Sequence, residues 1–326
     1  MRHARRALLV ATLLIAACGS SDPPRPDVSL LPAKASGQAG ATVGFGQLDP
    51  NPWNLSRRAD PGALGMSVGA TGALTIKGDF SRTPPCTEPA CVAPSANTWV
   101  RGYPNVLYGI NQCHAGTSPP RSSRLPLPMR VDSIPPHLIG VTAHSAQTSQ
   151  VTYDVAYDIW LQPTGTKQPC ISQGTLEIMV WTDYNPRALL PASLQVGTAS
   201  IPLAVDGALR PATRPWSIYA SNIQKDGRTA PWGGTLWFVP DQADVARHGR
   251  VSVDLSAVFW AAEHLLQENY GWPKLGQRYW LDTASFGVEF GPPSGDPLDP
   301  GPTSFSTEIS AYCLDVRSTV LDAACG

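Results

Sequence analysis

Charge is what this sequence has least of. Asp, Glu, Lys and Arg make up 15% of its 326 residues, where roughly 25% is usual for soluble domains. The 24 basic and 25 acidic side chains leave a formal net charge of −1. That balance excludes a basic nucleic-acid binder and a disordered chain driven by charge. No CxxC pair and no HExxH stretch occurs, and His114, His137, His144, His248 and His264 are scattered without ligand spacing. A zinc site therefore has no support, and no metal or other cofactor is expected. Gly-x-Ser-x-Gly is absent too, so a Ser-His-Asp hydrolase is not indicated. No internal repeat of fixed period is found.

Turn formers and aromatics are abundant instead. With 33 Pro, 29 Gly, 10 Trp and 42% hydrophobic residues, the chain can build a core from many short elements separated by turns. Such a composition suits a β protein facing a neutral partner.

Arg2, Arg5 and Arg6 precede an apolar run at 7–17. At 11 residues it is too short for the roughly 20 that span a bilayer, and it reads as an export signal. The run ends in Ile15-Ala16-Ala17-Cys18-Gly19, which resembles the lipobox of bacterial lipoproteins and implies lipidation of Cys18. An ordinary signal peptide cleaved nearby is the alternative. The expected location is outside the cytoplasm, lipid-anchored at the bacterial cell envelope or secreted. Without residues 1–17 the chain would carry 21 basic and 25 acidic side chains, a net −4. Residues 18–42, rich in Ser, Pro, Gly and Ala, read as a flexible tether. The folded, monomeric domain is expected over 43–326.

Export also decides how the cysteines are read, because paired thiols persist as disulfides there. Cys86, Cys91, Cys113, Cys170, Cys313 and Cys325 allow 15 connectivities. Only Cys86 with Cys91 is favoured by closeness.

From Val43 onward, β-like runs at 73–77, 98–101, 138–143, 151–161, 175–181, 216–220, 235–239, 283–290 and 304–312 alternate with turn clusters. One segment differs: Leu255, Val258, Phe259, Ala262, Leu265 and Leu266 follow the stripe of an amphipathic helix. Asp254 stands near its start and Gly271-Trp272-Pro273 past its end. A single helix among about nine strands predicts an all-β, antiparallel sandwich of two sheets with one packed helix.

Alternation along the strands sorts side chains to faces. In 175–181, Leu176, Ile178 and Val180 take the core face, whereas Thr175, Glu177, Met179 and Trp181 take the other. In 151–161, Val151, Tyr153, Val155, Tyr157, Ile159 and Leu161 oppose Asp154, Asp158 and Trp160. In 283–290, Ala284, Phe286, Val288 and Phe290 oppose Thr283, Ser285, Gly287 and Glu289. Two strand-borne glutamates with aromatics nearby and little positive charge fit glycoside hydrolysis. There one carboxylate attacks the anomeric carbon and the other protonates the leaving oxygen, about 5–5.5 Å away in retaining enzymes.

These motifs resemble glycoside hydrolase family 12, whose retaining endo-β-1,4-glucanases fold as a β-jelly roll of two curved antiparallel sheets with one helix. Glu177-Ile178-Met179-Val180-Trp181 is similar to the family's E-I-M-I-W strand, which implies that Glu177 is the nucleophile. Tyr157-Asp158-Ile159-Trp160-Leu161 is similar to its Y-D-I-W-L strand, which implies that Asp158 hydrogen-bonds near the nucleophile. Gly287-Val288-Glu289-Phe290 is similar to G-F-E-P-W, which gives Glu289 the acid/base role. Smaller echoes are Tyr103-Pro104 with Tyr108-Gly109, Trp216-Ser217-Ile218-Tyr219 and Ser304-Phe305-Ser306-Thr307-Glu308.

The N-N-x-W-G motif is reduced to Asn51-Pro52-Trp53-Asn54, and Phe290-Gly291-Pro292-Pro293 replaces the usual Pro-Trp. Extra length is placed around 189–214, as a remodelled cleft wall. The resemblance implies a β-glucan substrate, whether cellulose, mixed-linkage glucan or xyloglucan. Trp53, Trp160, Trp181, Met179 and Tyr108 are the candidate substrate contacts. The alternative is a carbohydrate-binding lipoprotein on the same sandwich, with the acids serving only as hydrogen-bond acceptors.

Overall fold

In a computed structural model, the structure describes residues 42–43, 46–49, 64–68, 73–79, 100, 102–109, 125–147, 151–163, 173–185, 188, 190–211, 214–231, 233–245, 248–291 and 304–316. Cys18, Trp53 and five of the six remaining cysteines lie outside them. Cys313 lies inside and is disulfide-bonded.

The strands in chain order begin with β1 (Thr42–Val43), β2 (Gly46–Asp49), β3 (Leu64–Val68), β4 (Leu74–Asp79), β5 (Asn105–Gly109), β6 (Met129–Arg130) and β7 (Ile139–Gln147). They continue with β8 (Thr152–Gln162), β9 (Leu176–Tyr184), β10 (Gln195–Ala199), β11 (Leu203–Val205), β12 (Ala208–Leu209) and β13 (Trp216–Ser221). After β14 (Gly234–Val239) and β15 (His248–Asp254) come the helices α1 (Leu255–Tyr270) and α2 (Leu275–Arg278), then β16 (Trp280–Gly291) and β17 (Ser304–Asp315).

Two sheets result. The larger runs β1-β2-β5-β16-β8-β9-β14-β13-β10, with β6 also on β16, and the smaller runs β12-β11-β15-β7-β17-β4-β3. Each strand turns its apolar parity to the other sheet. Tyr153, Val155, Tyr157, Ile159 and Leu161 of β8, Leu176, Ile178 and Val180 of β9, and Ala284, Phe286, Val288 and Phe290 of β16 share one buried cluster. Leu64 and Met66 of β3, Ile76 of β4, Val251 and Val253 of β15, and Phe305 and Ile309 of β17 complete it. Burying such side chains contributes about 1.5–3 kcal/mol each.

The helix forms where the 3.6-residue stripe predicts. Leu255, Val258, Phe259, Ala262, Leu265 and Leu266 are all buried, and the Asp254 carboxylate accepts from Ala257 N. Such an N-cap contributes about 1 kcal/mol. At the other end Gly271 takes the left-handed conformation (φ 66°), its N–H donating to Gln267 O while Trp272 N donates to Leu266 O. These two hydrogen bonds close the last turn.

Three sequence expectations are corrected. First, the sheets are not wholly antiparallel: β14 lies parallel to β9, with Thr235 beside Glu177 and Trp237 beside Met179. Alternation fixes a strand's faces and says nothing of its direction. Second, the expected extra length around 189–214 takes the form of edge strands, β10 on β13 and β11 with β12 beside β15. Third, the strand expected at 98–101 is not formed at Val100, and its neighbour Gly102 makes only an isolated bridge to Phe290. The strand β15 was not anticipated, because only Val251 and Val253 mark its buried face before the helix begins.

A bulge falls between Leu281 and Thr283 in β16 where it pairs with β8, and Asp282 is the residue it inserts. Its carboxyl is buried, Oδ1 has no hydrogen-bond partner among the described residues, and burial pushes the pKa up to about 7. The folded state thus holds this proton more tightly than the unfolded chain. The stabilisation is complete below the ordinary Asp value and is lost as pH rises through about 7. Asp282→Asn should therefore reduce the fall in unfolding free energy between pH 4 and pH 8 by on the order of 3 kcal/mol relative to wild type. Denaturant titrations with equal pH slopes in both proteins would contradict it.

Candidate active site

The free face of the larger sheet carries acids where the opposite parity carries core. β8 is the hinge of the arrangement. On one flank it pairs with β16, aligning Asp154 with Glu289 and Asp158 with Ser285. On the other it pairs with β9, aligning Asp158 with Met179 and Trp160 with Glu177. Glu177 and Glu289 thus stand two strands apart, each opposite a different end of the stretch Asp154 to Trp160 of β8.

Glu177 is half-buried, and its Oε2 accepts a 2.7 Å hydrogen bond from Thr235 Oγ1. Asp158 is buried; its Oδ2 accepts from Trp160 Nε1 at 2.9 Å. Burial pushes the Asp158 carboxyl well above the usual range, and the charge of Glu177 adds to this. A hydrogen bond to Glu177 raises it further, so that Asp158 is the partner holding the proton. Ser285 Oγ donates to the backbone oxygen of Asp158, and Tyr103 Oη donates to Ala156 O.

Glu289 is buried, and burial first of all raises its carboxyl well above the ordinary value. The charge of Asp154, a hydrogen bond to Asp154 and the charge of Glu177 push the same way. The two glutamates therefore feel each other within one field. Gly287, between Ser285 and Glu289, has no room for a side chain: a Cβ there would lie 2.4 Å from Pro104 O. The missing side chain lets the chain at 104–105 close against β16 beside Glu289.

The structure separates the sequence-predicted contacts. Glu177, Glu289, Asp158 and Trp160 come together on one face. Tyr108 does not. It aligns with Ala284, its ring belongs to the inter-sheet core, and its hydroxyl donates to Leu125 O. The parity of β5 sends Asn105 and Leu107, not Tyr108, to the acidic face. Met179 and Trp181 are on the expected face, yet 2% and 1% exposed, so neither presents an open surface to a sugar ring. With Ala156, Tyr184, Ala188, Leu190, Trp237 and Val239 they make a second apolar cluster. It forms a firm floor beside the carboxyls. Trp53 lies outside the described residues.

Asp154 and Thr235 are site residues that the sequence did not single out. Asp154 shares the parity of Asp158, and this was its signal. Thr235 had none, since only the parallel register brings it to Glu177.

The larger sheet thus carries Glu177, Asp158, Asp154 and Glu289 together on the face turned away from the core between the sheets. The sequence model of glycosyl hydrolase family 12 matches residues 76–263, more than half of the chain, and the protein belongs to that family. The match includes Asp158 and Glu177 and ends before Glu289. No curated protein matches.

Among solved structures, the fold is similar to a native family 12 xyloglucanase from Bacillus licheniformis (TM-score 0.55, 17% identity, 85% of this chain and 95% of that one). It is also similar to an endoglucanase derived from a metagenome (TM-score 0.50, 18%, 85% and 93%). A thermostable cellulase derived from that of Rhodothermus marinus is similar too (TM-score 0.50, 16%, 85% and 94%).

Thr235→Val keeps the side-chain shape and removes one donor to Glu177. A hydrogen bond to a charged group is worth about 1.5–3 kcal/mol. Glycoside hydrolysis should therefore slow by roughly 10- to 150-fold, with little change in melting temperature. Steady-state kinetics within twofold of wild type would show that the bond is idle.

Proposed function

We propose that this protein is a retaining endo-β-1,4-glucanase acting on cellulose, mixed-linkage glucan or xyloglucan by double displacement. Glu177 is the nucleophile, Glu289 the general acid/base, and Asp158 the residue that orients Glu177. The observation that carries the reading is the asymmetry of the two glutamates. Glu177 is half-open and receives donors from Thr235 and Asp158, as an attacking carboxylate requires. Glu289 is buried among acids that favour its protonated form, as a general acid requires.

In the first step Glu177 attacks the anomeric carbon while the proton on Glu289 passes to the departing glycosidic oxygen. In the second, Glu289 takes a proton from water, whose oxygen displaces Glu177 from the sugar. Family membership and the likeness to a xyloglucanase and a cellulase support a β-glucan as substrate. The Trp160 indole, half-buried beside Glu177, offers apolar surface to a sugar ring, and Trp53 is proposed as a second platform. The protein is further proposed to be exported and held at the cell envelope through lipid on Cys18. Labelling with a radioactive fatty acid, abolished by Cys18→Ser, tests this.

Glu177→Gln and Glu289→Gln should each lower hydrolysis of soluble β-glucan by a factor of about 10³ or more while leaving the fold intact. The first product seen by proton NMR should be the β-anomer. Near-normal turnover in both variants would refute the assignment of the two carboxyls, no turnover in wild type would leave a glucan-binding protein, and α-anomer appearing first would refute retention.

A further inference from the structure

Asp154 has no part in the reaction as written above, yet it is the most deeply placed acid of the site. It is 0% exposed, and neither of its oxygens meets an N–H or hydroxyl donor among the described residues. Among the described residues its neighbours are acids: Glu289 on β16 as hydrogen-bond partner, and the charges of Asp158 on its own strand and of Asp183 and Glu177 on β9. The phenol of Tyr103 is also within its field. Behind it, on the core side, Asp183 accepts from Tyr153 Oη and lies 3.9 Å from His144 Nε2 of β7. A carboxylate buried among acids is costly unless it is hydrogen-bonded. Two carboxyls that share one proton remove the conflict.

The partner is Glu289. The antiparallel register sets the two residues directly opposite one another on adjacent strands, with both side chains on the acidic face, where opposed Cβ atoms lie about 4.5–5.5 Å apart. We propose that Asp154 is a positioning residue for the acid/base: it accepts a hydrogen bond from protonated Glu289 and so stores the proton that the leaving group will take. The inference rests on the assignment of Glu289 as general acid. Burial raises both carboxyls well above the usual range, and the hydrogen bond between them then lowers Asp154 and raises Glu289, so the proton they share rides on the glutamate.

When the glycosidic C–O bond breaks, the O–H bond of Glu289 breaks and a new O–H bond forms on the leaving oxygen. Glu289 is left as a carboxylate beside the carboxylate of Asp154. That repulsion makes Glu289 a stronger base for the attacking water of the second step. The proton taken from water restores the pair. Asp154 therefore serves both half-reactions without touching the sugar.

The test uses the full protein with carbon-13 carboxyl NMR and Asp154→Asn, which keeps the shape and removes the charge. In wild type the Glu289 resonance should titrate in two steps, as coupled sites do. In Asp154→Asn it should titrate in one, with the midpoint lower by about one pH unit or more. A single step in wild type, or the same midpoint in both proteins, overturns the proposal; if the variant does not fold, the Asp154 resonance of wild type decides, since it must show the same two midpoints as Glu289.

Kinetics gives the second reading. For unactivated cello-oligosaccharides relative to dinitrophenyl β-cellobioside, whose leaving group needs no acid, the rate ratio should fall roughly 10- to 100-fold in Asp154→Asn. If Glu289→Gln lowers that ratio and Asp154→Asn does not, the role of Asp154 is refuted while the hydrolase stands. If wild type cleaves neither substrate, the hydrolase reading fails, and the NMR curves still decide whether the two acids share a proton.

Discussion

Strand β8 has to satisfy two opposite environments within eleven residues, and the site depends on how it does so. Its odd positions, from Tyr153 to Leu161, lie in the layer between the sheets, where only apolar bodies and satisfied polar tips are tolerated. Its even positions carry Asp154, Asp158 and Trp160 to the other face. Because consecutive side chains of a strand point to opposite faces, the core that anchors this strand also fixes where its acids stand. A one-residue slip would bury both aspartates between the sheets and turn Tyr153, Val155, Tyr157, Ile159 and Leu161 outward. The core is thus what keeps the register of the chemistry.

Around that strand, burial rather than proximity alone divides the acids. Asp154, Asp158 and Glu289 are each at most 6% exposed, whereas Glu177 is half-buried at the open side. Desolvation is the largest influence on all three buried groups; a neighbour's charge follows for Asp158 and Glu289, and the hydrogen bond to Glu289 follows for Asp154. Four acids in so small a space cannot all ionise. The one nearest solvent is the natural seat of the negative charge, while Asp158 keeps a proton and the buried pair Asp154 and Glu289 shares one.

Faces were legible in the sequence; partners were not. Alternation placed Glu177, Asp158 and Glu289 on the correct side because each is flanked by large apolar residues of the opposite parity. The helix over 255–270 was equally plain, since its stripe, cap and terminal glycine agree. Tyr108 went astray because it was chosen from a Tyr-Gly likeness and not from the parity of β5, whose Val106 shares its inward side. Trp181 was assigned to the right face, but alternation cannot tell an open floor from one already filled by Trp237 and Tyr184. Register across strands distant in sequence, such as Thr235 beside Glu177, leaves no trace in either strand alone.

The side-by-side run of β9 and β14 has a bearing on how this chain tolerates change. Between them the backbone makes an excursion through 185–233 that adds margins to both sheets and then returns in the same direction. Hydrogen bonding between the two strands, not the length of that excursion, sets the spacing of the threonine hydroxyl and the attacking carboxyl. Segments of varied size can be grafted into the detour while the chemistry stays where it is. The outer rims of the protein are in this sense free to diversify around a fixed centre.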